Sequence, residues 1–294
     1  MFKNSAKKAL RWVLMKSGIK QVRVPVRMYN NESRYTLSSD CTYLQAKTAF
    51  VTGANGSIGR AITAVLISRG AHVYVTGRNE TCLRELESEM NNLTPGSCTA
   101  LVLDLNDEEE VKTKVQQVVE VTKSLDIWVN CAGGSARAAA APIAKQNMEV
   151  VDYVMSSNLR LCIIGSKVAA VHMTNQQYGS IINISSAIGD RGKKNFSDYA
   201  AAKAGIIGFS RSLALEVGPS GVTVNCVSPG FIQRGEYDEN RRDYLLRSNC
   251  MHAIGTPEDV AHAVAFLASP HAKFITGQNI MVDGGRSLGL MGDS

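Results

Sequence analysis

Thr48-Ala49-Phe50-Val51-Thr52-Gly53-Ala54-Asn55-Gly56-Ser57-Ile58-Gly59 decides the fold of this 294-residue chain. Its first five residues are β-branched, aromatic or small, the pattern of a short strand buried on both faces. Glycines then break the run at 53, 56 and 59, after which Ile58, Ile62, Val65 and Leu66 mark one helical face. Strand, glycine loop and helix in that order are what a dinucleotide pyrophosphate requires. Glycine lets the backbone come close, and the helix N-terminus offers free N–H groups with a partial positive charge. Gly53, Asn55, Ser57 and Ile58 are therefore assigned to cofactor binding.

Working outward, a second strand pattern, His72-Val73-Tyr74-Val75-Thr76, ends in Gly77-Arg78-Asn79. An acid at this strand end would bond the adenosine ribose 2′-hydroxyl and favour NAD. None is present. Arg78 instead suits a 2′-phosphate through a charge-assisted contact, so the expected cofactor is NADP, with NADPH preferred. A third strand, Thr99 to Leu103, is closed by Asp104 and Leu105. The Asp104 carboxylate either accepts from the adenine amino group or caps the turn ahead of a helix over Asp107–Lys123. A fourth strand, Leu125-Asp126-Ile127-Trp128-Val129, runs into Asn130-Cys131-Ala132-Gly133-Gly134. Strands alternating with helices at this spacing predict an α/β fold with a parallel, doubly wound sheet of the Rossmann type. Ligands bind such sheets at the carboxyl ends of the strands, where all of these loops lie.

The second half carries the chemistry. A long helix is expected over Met148–Gln176 and includes Asn158. The strand Ser180-Ile181-Ile182-Asn183-Ile184 ends in Ser185-Ser186, and an alanine-rich helix begins Tyr199-Ala200-Ala201-Ala202-Lys203. Residues four apart share one helical face, so the Tyr199 phenol and the Lys203 ammonium point into the same space. An isolated phenol is a poor acid–base group at neutral pH, and a fixed cation beside it favours the phenolate. Hydride transfer to a carbonyl needs a proton donor, a second donor to hold the oxygen and a cation to tune the acid. Tyr199, Ser186 and Lys203 supply these groups.

These motifs together resemble the short-chain dehydrogenase/reductase family. The likeness rests on Thr52-Gly53-x-x-Gly56-x-x-Gly59 read as the glycine loop, Asn130-x-Ala132-Gly133, Asn158, Ser186, Tyr199-x-x-x-Lys203 and Pro229-Gly230, and it covers residues 46–286. Ser186 precedes Tyr199 by 13 residues, the usual family spacing, which selects it over Ser185. The resemblance implies that Tyr199 is the acid–base and that Lys203 also binds the nicotinamide ribose. It implies that Ser186 holds the substrate oxygen and that Asn158 anchors a water linking Lys203 to solvent. Asn130 would shape the strand end beneath the cofactor, and with Ala132, Gly133, Pro229, Gly230 and Ile232 it would belong to the cofactor site. Where the family usually has threonine two residues after that isoleucine, this chain has Arg234. Residues 235–253 resemble the family's substrate lid and are unusually polar.

The substrate is expected to be a small carbonyl or alcohol. The overall likeness is to 3-oxoacyl-thioester reductases and to the polyol and sugar dehydrogenases near them. Carrier-protein reductases often place a basic residue in the turn where Leu215 stands here, which counts against docking of a carrier protein. The alternative is a catalytically silent NADP-binding regulatory or scaffold protein of the same fold. The four intact residues Asn158, Ser186, Tyr199 and Lys203 speak against it.

Composition bounds the rest. With 45% hydrophobic and 20% charged residues the chain can bury a full core. The seven cysteines include no C-x-x-C pair, so no metal is expected and reduced, buried thiols are. The net charge of +6 is concentrated at the start, where residues 1–46 hold nine Lys/Arg against two Asp/Glu. The body is near neutral and does not suggest a nucleic-acid partner. Residues 1–45 read as a basic extension and linker, and 46–294 as the nucleotide-binding domain. Within 1–31, Phe2, Ala6, Ala9, Leu10, Val13 and Leu14 recur at helical spacing beside Lys3, Lys7, Lys8 and Arg11. Three readings stand: contact with an anionic membrane surface, a mitochondrial presequence, or packing on the body or a partner subunit. The expected location is the cytoplasm, or the mitochondrial matrix on the second reading. Small residues on the Met148–Gln176 and Tyr199–Val217 helices predict a homotetramer or homodimer.

Overall fold

A computed structural model of the chain describes residues 42–233 and 242–288. The basic extension, Arg234 and the first part of the polar segment after it lie outside the described residues. Seven strands form one parallel sheet: β1 (Thr48–Thr52), β2 (His72–Gly77), β3 (Cys98–Val102), β4 (Ile127–Asn130), β5 (Gly179–Ile184), β6 (Val222–Pro229) and β7 (Asn279–Val282). Their spatial order is β3-β2-β1-β4-β5-β6-β7. The order reverses between β1 and β4, which opens a crevice at their carboxyl ends.

Every residue of β1 is buried, and its alternating side chains feed two separate cores. Ala49 and Val51 join Ile62, Leu66, Val73, Leu83 and Val264 on one face. Phe50 points to the other, among Trp128, Val115, Val168 and Leu213. Phe50 lies opposite Tyr74 of β2 and Trp128 of β4. Its ring stacks on both, at 5.1 and 5.2 Å between centroids. This three-strand aromatic ladder fixes the register of the strands beneath the crevice, because a one-residue slip would move Phe50 to the opposite core.

The first face carries α1 (Ser57–Ser68), α2 (Glu80–Leu93) and α9 (Pro257–Leu267). The second carries α3 (Glu108–Thr122), α5 (Leu161–Gln176) and α7 (Ser197–Val217). The shorter α4 (Met148–Met155), α6 (Ala187–Arg191) and α8 (Arg242–Arg247) lie in the connections at the cleft end. The single helix expected over Met148–Gln176 is interrupted: a π turn at Ser156–Arg160 separates α4 from α5. One extra residue per turn leaves carbonyls without their usual partners. The Asn158 side-chain amide compensates by donating to the carbonyl of Val154, four residues back, at 2.8 Å.

Candidate active site

The carboxyl ends of β1, β4, β5 and β6 border a cleft of about 520 Å³. Its floor is the glycine loop. Gly53 has φ +65, and a Cβ there would fall 2.7 Å from Ala132 Cα. At Gly59 a Cβ would lie 2.3 Å from the Gly53 carbonyl oxygen. Both positions must be glycine for the loop to close onto α1 and β4. The Thr52 hydroxyl accepts from the N–H groups of Cys131 and Ala132, at 3.0 and 3.1 Å, and so locks the two loops together. Side chains cap α2 (Asn79), α3 (Asp107) and α4 (Asn147), but none caps α1, whose N-cap is Gly56 and whose first turn holds no acid. Among the described residues no side chain thus accepts from the N–H groups at the start of α1, as a pyrophosphate site would require. Gly53, Asn55, Ser57 and Ile58 all line the cleft. The residues present fit a dinucleotide.

Arg78 stands exposed directly after β2, as the adenosine end would need. Asp104 lies close enough to feel its charge. The Asp104 carboxyl is held below its ordinary range, first by the Asn106 backbone N–H, against partial burial, and then by the Asn106 amide and the Arg78 cation. Its Oδ1 accepts both Asn106 groups at 3.0 Å, which makes it a turn closer. The cap of α3 is Asp107, not Asp104. Leu105 does not line the cleft, because its side chain packs into the core beside Leu103 and Val111.

Asn130 sits beneath the cleft floor, 5% exposed. Its Oδ1 accepts from Trp128 Nε1 at 2.8 Å, and its Nδ2 donates to Ser166 Oγ at 2.9 Å and to Asn183 Oδ1 at 2.8 Å. Asn183 in turn donates to Ser210 Oγ on α7 at 2.8 Å. This satisfied buried network ties β4, β5, α5 and α7 together, so Asn130 shapes the strand end rather than touching a ligand. Asn158 is fully buried at the π turn and donates to the Gly134 carbonyl at 2.8 Å. Its Oδ1 has no partner and rests against Gly133, where a Cβ would meet it at 2.4 Å. Asn158 and Ala132 support the cleft wall without lining it; Gly133 lines it.

The two serines after β5 part company. Ser185 is buried and donates to the Lys203 carbonyl at 2.7 Å, anchoring α7. Ser186 lines the cleft and caps α6 by accepting from Ile188 N–H at 3.2 Å, which leaves its O–H as a donor. Gly189 lets α6 lie directly against α7 at Lys203, where a Cβ would fall 2.7 Å from backbone. Lys203 is 5% exposed, and its ammonium donates to the Ile184 carbonyl at 2.8 Å. It lies 5.7 Å from the centre of the half-buried Tyr199 ring. Buried Asp198 accepts from Tyr199 N–H at 2.8 Å and Gln146 Nε2 at 3.0 Å, fixing the first turn of α7. Ser186, Tyr199 and Lys203 thus share one wall of the cleft, and Pro229, Gly230 and Ile232 close its far side.

Sequence reading missed Arg137, Ile188 and Phe196, which also line the cleft. Phe196 stands three residues before Tyr199, and an aromatic one helical turn ahead of the Tyr199-x-x-x-Lys203 motif was the available signal. Arg137 lies in an alanine-rich stretch that carries no motif. The expectation of buried thiols holds for Cys98, Cys162 and Cys226, whose burial pushes the first two up to about 12 and the third up to about 11. It fails for Cys250, which is exposed where α8 runs into a turn.

Comparison with known proteins agrees with this geometry. A family model described as Enoyl-(Acyl carrier protein) reductase matches residues 53–287. The chain is 39% identical over 245 residues to the 3-oxoacyl-[acyl-carrier-protein] reductase FabG of Rickettsia conorii, covering 82% of this chain and 97% of that one. The FabG reductase of Haemophilus influenzae is 36% identical over 254 residues, covering 83% of this chain and all of its own length (100%). Among solved structures, a short-chain type dehydrogenase/reductase from Mycobacterium ulcerans superposes with a TM-score of 0.78 at 31% identity, covering 83% of this chain and 90% of that one.

Proposed function

The chain belongs to the short-chain dehydrogenase/reductase family, as an oxidoreductase acting on CH–OH and keto groups, and from that premise we propose that it is an NADPH-dependent reductase of 3-oxoacyl thioesters. The observation that carries this reading is the shared wall: Ser186, Tyr199 and Lys203 line the same cleft as the glycine loop. The uncapped start of α1 and the Gly53 cradle would hold the pyrophosphate, and Arg78 the 2′-phosphate. NADPH bound there supplies the hydride that reduces the substrate's carbonyl carbon. The Ser186 O–H donates to the carbonyl oxygen and holds it. Tyr199 gives its phenolic proton to the same oxygen as the C=O bond becomes an alcohol C–O bond, so one hydride and one proton complete the reduction. The Lys203 ammonium stands beside the phenolate that results. Two hydroxyl donors on one wall suit reduction at oxygen, which favours a ketone over a carbon–carbon double bond.

The names of the relatives support the thioester class, while Leu215, 82% exposed, stands where a carrier-docking base was expected. NADPH consumption with 3-oxoacyl thioesters and keto sugars, and NADP reduction with polyols, test the reading. Turnover of the thioesters is expected. Oxidation of a polyol with no turnover of any thioester would replace it with the sugar-dehydrogenase reading. We further propose that the basic extension adds affinity for anionic lipid. Removing residues 1–41 is expected to abolish salt-sensitive binding to acidic vesicles, and an intact protein that ignores such vesicles at low salt refutes this.

A further inference from the structure

Beside Tyr199 the cleft continues into a second cavity of about 490 Å³; Arg137 and Phe196 line both. Arg137, Lys193 and Arg286 border this cavity, Phe196, Phe231 and Tyr244 give it aromatic walls, and among the described residues no acidic one lines it. The three cations come from separate segments: the connection after β4, the turn between α6 and α7, and the turn after β7. Among the described residues neither Arg137 nor Arg286 forms a salt bridge with a carboxylate. Arg286 gives one N–H to the Ser248 hydroxyl, one of the five donors a guanidinium carries. Lys193 sits over the Phe196 ring, 4.5 Å from its centre. Like charges converging on one cavity repel each other unless an anion or solvent lies between them.

We propose that this cavity receives the phosphate on the thiol arm of the substrate. The inference rests on the thioester reading above and adds where the arm lies. Arginine forks match phosphate oxygens in pairs, and the aromatic walls suit the uncharged part of an arm leading from Tyr199. Acyl thioesters of coenzyme A and of carrier proteins share such a phosphate-bearing arm. A neutral sugar has no group for these cations.

Titration of the full-length protein, saturated with NADP, with 4′-phosphopantetheine and with pantetheine tests this. The phosphorylated probe is expected to bind about tenfold tighter or better, with an advantage that shrinks as salt is raised. Arg286→Gln should bring the two affinities together. Because Arg286 also holds Ser248, Lys193→Gln, a change at an exposed position, provides the second variant. Equal affinities in the unmodified protein, or an advantage untouched by both variants, would overturn the proposal. A phosphate advantage in a protein that reduces no thioester would uphold the anion site and remove the thioester reading instead. A higher kcat/KM for an acetoacetyl group on coenzyme A would assign the arm to the soluble thioester, and a higher one on a carrier protein to the carrier; both outcomes support the shared site.

Discussion

Ser185 and Ser186 both line the cleft, but the Ser185 hydroxyl donates to the Lys203 carbonyl while Ser186, selected by its spacing to Tyr199, accepts from Ile188 N–H and keeps its O–H to give. Leu105 and Asp104 were assigned to the cofactor site, with capping of the turn as the alternative for Asp104; the Leu105 side chain packs into the core, and Asp104 Oδ1 closes that turn. A sequence reports that a residue follows a strand, not which way it turns. Arg78 was read from a missing acid, and it stands exposed directly after β2. Replacing it with alanine should narrow the preference for NADPH over NADH by about tenfold or more, the size of one charge-assisted contact. Dissociation constants for both cofactors, measured by fluorescence titration, check this. An unchanged ratio would put the 2′-phosphate elsewhere.

At the scale of elements, apolar runs located β1 to β5, because strands buried on both faces, such as β1 and β5, need apolar or small residues almost throughout. They could not find the π turn. Apolar spacing along Met148–Gln176 continues through Ser156–Arg160, and the interruption is held by a long-range contact from Asn158 to Gly134. Gly133 is the complementary half of that contact. Its φ of +144 and the 2.4 Å approach of Asn158 Oδ1 to any added Cβ leave no room for a side chain. Gly133→Ala should therefore cost about 1–3 kcal/mol. The expected readout is a melting temperature lower by several degrees, with weaker NADPH binding, in a protein that still folds. A variant as stable as the parent would mean that the π turn does not depend on this packing.

At the scale of the whole molecule, the sheet order brings four strand ends to one cleft, and each supplies a different part: the glycine loop after β1, Gly133 and Gly134 after β4, Ser186 after β5, and Pro229 and Gly230 at the end of β6. Exposed Ala201, Ala204 and Gly208 run along α7, with Ile163 and Val171 partly exposed on α5. Small residues allow helices to approach closely, so these two helices are expected to pair across a two-fold axis. Sedimentation at micromolar concentration should then find a dimer or tetramer, and a monomer would refute the pairing. The central claim is that the assembled cleft reduces a carbonyl with Tyr199 as proton donor. Its most direct test compares steady-state NADPH oxidation by the parent and by Tyr199→Phe, each shown to be folded and loaded with cofactor, on the best 3-oxoacyl thioester. The phenylalanine keeps the ring and its packing and removes only the hydroxyl. Turnover should fall by about two to four orders of magnitude with NADPH affinity nearly unchanged, and a Tyr199→Phe protein that turns over at the parent rate would contradict the account.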